Sequence, residues 1–220
     1  MEQALNSIPD IIVSDIMMPV MNGIMMCKIL KEDVRTSHIP IILLTAKDSL
    51  QDKEEGYQVG ADSYLTKPFS ATLLHSRINN LLESRKRLTE RFNTSTPHHN
   101  MDEKRALLAE SLNKLDNEFI EKINQLIEAR LSSEKIDIGY LADNMCMSKS
   151  TLYRKMKALT GLSTNEYVRK IKMQHAERLL LEGRYNISEV AFRVGINSVV
   201  YFRQCFKEEF GVLPSEYLKQ

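Results

Sequence analysis

Residues 138–157 (IGYLADNMCMSKSTLYRKMK) and 187–207 (ISEVAFRVGINSVVYFRQCFK) carry one pattern twice: a short helix, a tight turn and a basic helix. The first copy has the pair Leu141-Ala142, a turn at Cys146, Ser148 as cap and a helix from Lys149. The second has Val190-Ala191, a turn at Gly195, a cap at Asn197 or Ser198 and a helix that ends before Gly211. A small alanine lets two helices cross closely, and a capping side chain starts the second helix cleanly. An amphipathic stretch near 165–182 joins the copies, which confines this part of the chain to a helical domain with two helix-turn-helix units. Such a pattern also occurs in helical domains that bind nothing, so one unit is a modest hint of DNA binding. Two in tandem are a strong one.

The second helix of each copy has a polar face. Lys149, Ser150, Tyr153, Arg154 and Lys157 fall on one side of the first, with Leu152 and Met156 on the other. Arg154 suits a guanine edge, and Lys149 or Lys157 a phosphate. In the second copy Phe202, Phe206 and Phe210 read as core. Residues 134–220 hold 14 Lys and Arg against 10 Asp and Glu, net +4, while residues 1–133 hold 16 against 19, net −3. The positive end is where DNA should bind, although the excess is modest.

On the segments STLYRKMKALTG (150–161), NEYVRKIKMQHAERLLLEG (165–183), ISEVAFRVGI (187–196) and YFRQCFKEEFGVLPSEYL (201–218), residues 116–220 resemble the DNA-binding domain of AraC-type transcription regulators. The resemblance implies seven helices, with two recognition helices entering successive major grooves about 34 Å apart and the 165–182 helix as the strut between them. It places Val199, Val200, Arg203 and Gln204 at base-facing positions, with Lys207 on the same surface. The valines would pack on thymine methyl groups, and Arg203 and Gln204 would carry polar readout. Cys146 stands where the family more often has a turn glycine.

The front of the chain reads differently. IIVS (11–14) and IILL (41–44) are continuous β-branched runs, as in strands buried on both faces of a parallel sheet. Helical stretches are expected near 23–33, 51–59 and 70–90, and a short strand near 63–66. This alternation predicts a β/α sheet. SDIMMPVMNG (14–23) puts Asp15 at a strand's carboxyl end, LLTAK (43–47) does the same for Thr45, and SYLTKPF (63–69) for Lys67. Ligands of open parallel sheets bind just beyond those ends.

These motifs resemble the CheY-like receiver domain of two-component response regulators, a flavodoxin-like α/β fold. The resemblance implies that Asp15 accepts a phosphoryl group from a histidine kinase and that Lys67 pairs with the phosphoryl oxygens ahead of a cis bond to Pro68. Thr45 and Tyr64 would be the switch residues. Mg²⁺ would be held by Asp15, the backbone carbonyl of Met17 and a pair of acidic residues for which these residues offer no counterpart; Glu2 and Asp10 stand in the wrong places. The metal site is therefore expected to be incomplete and Mg²⁺ binding weak or absent. MEQALNSIPD reads as the tail of a helix, so residues 1–90 are expected to be a partial receiver lacking its first strands, with IIVS as a bare edge. The whole is similar to the C-terminal part of hybrid two-component systems of Bacteroidetes, with Met1 expected to be an internal methionine of a longer protein.

Residues 91–115 are expected to be a linker and connecting helix. RFNTSTPHHN (91–100) contains Pro97 and a solvated His98-His99 pair; Leu107, Leu108, Leu112 and Leu115 form one stripe, and Phe119, Ile123 and Ile127 another. The first stripe suits docking or pairing with a second chain, so a homodimer is a candidate assembly. Cys27, Cys146 and Cys205 show no ligand spacing and are expected as buried thiols in a reducing cytoplasm. No apolar run is long enough to span a bilayer, and no membrane contact is expected. Nothing resembles an ATP-binding loop, so the chain itself is not expected to be an enzyme. The readings that remain are a DNA-binding regulator in a phosphorelay, the output end of a hybrid histidine kinase, and a constitutive DNA binder with a phosphate-blind receiver remnant.

Overall fold

A computed structural model of the chain describes residues 2–46, 58–93, 112–133 and 136–218. It divides into two units, one built on residues up to Arg91 with 112–116, the other from Asn117 onward. The first unit opens with helix α1 (Glu2–Ser7), then β1 (Ile12–Asp15), α2 (Gly23–Glu32), β2 (Ile41–Thr45), β3 (Ser63–Thr66) and α3 (Ala71–Asn93). The strands form one parallel sheet in the order β1-β2-β3, with Ile12 opposite Ile41 and Ile42 opposite Ser63. β2 is the middle strand, and Ile41, Ile42 and Leu43 are fully buried. That is why its sequence has no polar alternation. Asn22 caps α2 by accepting a hydrogen bond from the Met25 amide at 2.7 Å. The next residue, Gly23, donates its amide to the Ile16 carbonyl, and a methyl group there would collide with the Asp15 carbonyl oxygen. The glycine is required because the helix starts hard against the strand end.

The expected strands and the helices near 23–33 and 70–90 are present with ends shifted by a few residues. Most of the helix expected over 51–59 lies outside the described residues, as do Pro97, His98, His99, Leu107 and Leu108.

Among the described residues the second unit has seven helices: α4 (Lys114–Glu128, which begins at the boundary), α5 (Ile138–Asn144), α6 (Lys149–Thr160), α7 (Thr164–Leu181), α8 (Ile187–Arg193), α9 (Val199–Phe210) and α10 (Pro214–Tyr217). Phe119, Ile123 and Ile127 are buried, as their stripe predicts. A second cluster gathers Met173, Ala176 and Leu180 of α7 with Val190, Ala191, Phe202, Cys205 and Phe206; Phe210 is only partly buried against it. Helix α7 buries Tyr167, Lys170, Ile171, Lys172, Met173 and Gln174 in near-continuous succession, so it is enclosed on several sides. One sequence expectation is corrected. Cys27 and Cys205 are buried, but Cys146 is exposed, because it occupies the apex of a turn.

Candidate functional site

Two sets of expected residues are placed, one in each unit. In the first, Asp15 ends β1 and pairs in register with Leu44, the residue before Thr45. The Lys67 ammonium donates to one Asp15 carboxylate oxygen, and the Met17 amide donates to the other at 3.2 Å. Both donors favour the ionised acid; the lysine contact, followed by the Met17 amide, holds the Asp15 carboxyl below the usual carboxylate range. Lys67 is brought there because its own amide continues the ladder to the Thr45 carbonyl at 2.7 Å, and its bond to Pro68 is cis. Thr45 and Tyr64 are both buried, Tyr64 in the cluster that contains Cys27, Leu30 and Leu43. The sheet thus brings an acid and an ammonium together from the ends of its two outer strands, with a hydroxyl at the end of the strand between them.

Receiver domains typically bind Mg²⁺ for phosphorylation. Among the described residues no three His, Cys, Asp or Glu side chains are grouped closely enough to hold a metal ion. Of the expected Mg²⁺ ligands, the described residues include Asp15 and Met17, with one Asp15 oxygen accepting from Lys67 and the other from the Met17 amide.

In the second unit the two helix-turn-helix copies are built alike, offset by 49 residues through the turn and by 50 from the cap onward. Ser148 caps α6 by accepting from the Thr151 amide, and Ser198 caps α9 by accepting from the Tyr201 amide. Asn197 is therefore not the cap. The turns match in detail. Cys146 (φ 53°) and Gly195 (φ 66°) both take the left-handed conformation. The amide of the next residue, Met147 or Ile196, donates back to the carbonyl of Ala142 or Ala191. That bond satisfies a helix-end carbonyl and reverses the chain, as in a Schellman turn. Each twelve-residue second helix then stops at a left-handed glycine, Gly161 or Gly211.

Lys149, Ser150, Tyr153, Arg154 and Lys157 of α6 are all exposed, while Leu152 and Met156 are fully buried. On α9 the counterparts Val200, Arg203, Gln204 and Lys207 are exposed, Val200 at 77%. Val199 is the exception: it is half-buried and packs against the core cluster, leaving less of it for a base edge. Gln204 donates to Glu208 at 3.1 Å one turn later. Each unit thus presents a cationic and polar face on a helix whose opposite face is locked in the core.

Three residues that sequence reasoning missed are lysines. Lys155 is fully buried, with its ammonium 4.9 Å from the centre of the Phe119 ring. Lys170 and Lys172 of α7 are each 5% exposed. Lys170 pairs with Glu209 of α9 at 3.0 Å, and Lys172 donates to two backbone carbonyls. Of the three, Lys172 alone stands between two apolar residues, Ile171 and Met173, whereas Lys155 and Lys170 each follow an arginine.

Comparison with known proteins agrees with both halves. The response regulator receiver domain family matches residues 1–79, and a helix-turn-helix domain family of AraC type matches residues 141–220. The chain is 36% identical over 97% of its length to "Histidine kinase P4" of Formosa agariphila, of which it spans 15%. It is 42% identical over 82 residues, 37% of its length, to "DNA-binding dual master transcriptional regulator RpaA" of Synechocystis, spanning 34% of that protein. Among solved structures, the C-terminal domain of AraT, a response regulator from Geobacillus stearothermophilus, aligns at 31% identity with a TM-score of 0.42, covering 46% of this chain and 84% of that one.

Proposed function

Since this chain belongs to the two-component response regulators with an AraC-type helix-turn-helix domain, we propose that it is a sequence-specific transcription regulator whose α6 and α9 read two successive major grooves and whose Asp15 is phosphorylated in a phosphorelay. The observation that carries the reading is the duplicated helix-turn-helix, each copy with a capped helix and an exposed Lys/Arg face. Arg154 reads a base edge; Lys149, Lys157 and Lys207 grip phosphates; Arg203 and Gln204 read polar edges beside the Val200 methyls.

At Asp15, an ionised carboxylate oxygen attacks the phosphorus of a phosphohistidine. The new O–P bond forms as the P–N bond breaks, and the imidazole leaves with the bonding pair and takes up a proton from water. Lys67 counters the charge on the phosphoryl oxygens, since such transfers depend on positioning and charge neutralisation. Thr45 and Tyr64 register the new phosphate.

Selection of this chain on random-sequence duplex pools, with and without a small phosphodonor, tests the reading. A two-groove site that sharpens with phosphodonor is expected. An enriched site indifferent to phosphodonor would leave a DNA reader with a phosphate-blind receiver, and no enrichment overturns the reading. The alignment with a kinase of which this chain spans 15% favours a second reading, that the chain is the output segment of a longer hybrid sensor histidine kinase. An in-frame kinase segment upstream in the gene supports that reading, and an in-frame stop codon there sinks it.

A further inference from the structure

If α6 and α9 are to read two grooves at once, something must fix one copy against the other, and apolar packing alone leaves room for sliding. The Lys172 ammonium, in the middle of α7, bridges backbone carbonyls of two segments of the second unit. It donates to the Ser133 carbonyl at 2.7 Å and to the Gly195 carbonyl at 3.2 Å. Ser133 belongs to the segment that leads from α4 into the first helix-turn-helix, four residues before Asp137 caps α5. Gly195 is the left-handed apex of the second helix-turn-helix. The two segments touch directly: a methyl group on Gly195 would collide with the Ser133 carbonyl.

We infer that Lys172 is a positioning residue for DNA recognition, a buried clasp that ties the lead-in of the first reader to the turn of the second and so sets the spacing of half-sites the chain accepts. This rests on the two-groove reading proposed above. A lysine at 5% exposure is costly unless its charge is matched by oriented oxygens, and oriented oxygens accept it in one geometry only. A methionine of similar length would fill the space without that directionality. Two ion pairs along the same helix hold the second reader itself, Lys170 to Glu209 at 3.0 Å and the more exposed Arg169 to Glu208 at 3.4 Å. They fix α9 on α7, whereas Lys172 fixes the second turn to the segment that leads into the first copy. The two jobs are separate.

The test uses the full chain and the duplex selected for it, with one base pair added or removed between half-sites. Each such change rotates one half-site by about 35° and shifts it by about 3.4 Å. The unmodified chain should bind the altered duplexes about 100-fold more weakly than the selected one. Lys172→Met, with helix content and cooperative melting checked, should shrink that ratio to about 10-fold or less, and Lys172→Arg should restore most of it. A loss of stability alone lowers affinity for every duplex in proportion and leaves the ratio unmoved, so an unchanged ratio in folded Lys172→Met overturns the inference. Should Lys172→Met not fold, Lys172→Gln decides: its shorter, neutral amide takes the ammonium away from the two carbonyls, so a ratio equal to that of the unmodified chain overturns the inference and a narrowed one supports it. An unmodified chain insensitive to spacing fails the two-groove reading itself and takes this inference with it.

Discussion

At the level of single residues, Arg154 and Asp15 carry the functional argument, and each has a measurable signature. Arg154 stands exposed on α6 while Leu152 and Met156 anchor the opposite face, so truncating it removes a contact without emptying the core. Arg154→Ala should weaken binding to the selected site by roughly 1–3 kcal/mol, as for a base-reading arginine. Equal loss on selected and random duplexes, measured by titration at one salt concentration, would reduce Arg154 to a phosphate contact. Asp15 gives a pH signature. Its folded pKa is depressed, chiefly by the Lys67 hydrogen bond, so the pairing is in force above the unfolded carboxylate value and is lost as pH falls through the depressed one. In Lys67→Met the Asp15 carboxyl should titrate higher, toward the ordinary aspartate range. Carbon-13 NMR of that carboxyl reads the shift directly, and an unmoved titration would mean that Lys67 does not set it. The positions of both could be placed from the sequence, Asp15 at the end of an apolar run and Arg154 on the face of a helix opposite Leu152 and Met156. Those of Lys155, Lys170 and Lys172 could not. A lysine in a helix reads as a surface residue, and only the fold reveals the Phe119 ring, the Glu209 carboxylate and the two carbonyls that make burial tolerable.

Elements were easier to read where local chemistry and burial agreed. β2 was visible as an apolar run because both its faces are covered, and α6 and α9 because Ser148 and Ser198 cap one end and Gly161 and Gly211 end the other. α7 was visible as a helix and, by resemblance, as a strut, but not as one enclosed on several sides, since such burial erases the stripe that marks an inward face. The two turns show how one backbone shape can rest on different residues. Cys146 holds the left-handed conformation with its side chain in solvent, so the cysteine carries strain there without compensating packing. Cys146→Gly should therefore be neutral to stabilising, by up to about 1 kcal/mol after the glycine's greater unfolded-state freedom is counted. Gly195→Ala meets the same positive φ and in addition the Ser133 backbone, which cannot swing aside as a side chain can. Its cost should be on the order of 3 kcal/mol or more. Urea denaturation of the two variants compares them, and equal midpoints would show that the Ser133 contact adds nothing.

For the molecule as a whole, DNA binding should rest on a small number of phosphate contacts rather than on bulk charge. The chain's net charge is only +1, and the excess of +4 in residues 134–220 comes from 14 cations set against 10 acids. Several of those cations are already engaged inside the fold: Lys155, Lys170 and Lys172 are buried, and Arg169 pairs with Glu208. The reading faces hold Lys149, Arg154 and Lys157 on α6 and Arg203 and Lys207 on α9, while Arg178, Arg184 and Arg193 are exposed on other parts of the unit. Each phosphate neutralised releases condensed counterions and steepens the salt dependence of binding by about one unit on a log–log plot. Lys157→Gln and Lys207→Gln should each flatten that slope by about one and weaken selected and random duplexes alike, because a phosphate contact carries no sequence information. Lys170→Met, which removes a buried cation of equal formal charge, should leave the slope unchanged even where it lowers affinity by loosening α9. If all three variants flattened the slope equally, net charge rather than the α6 and α9 faces would be driving the binding, and the assignment of those two faces would fall.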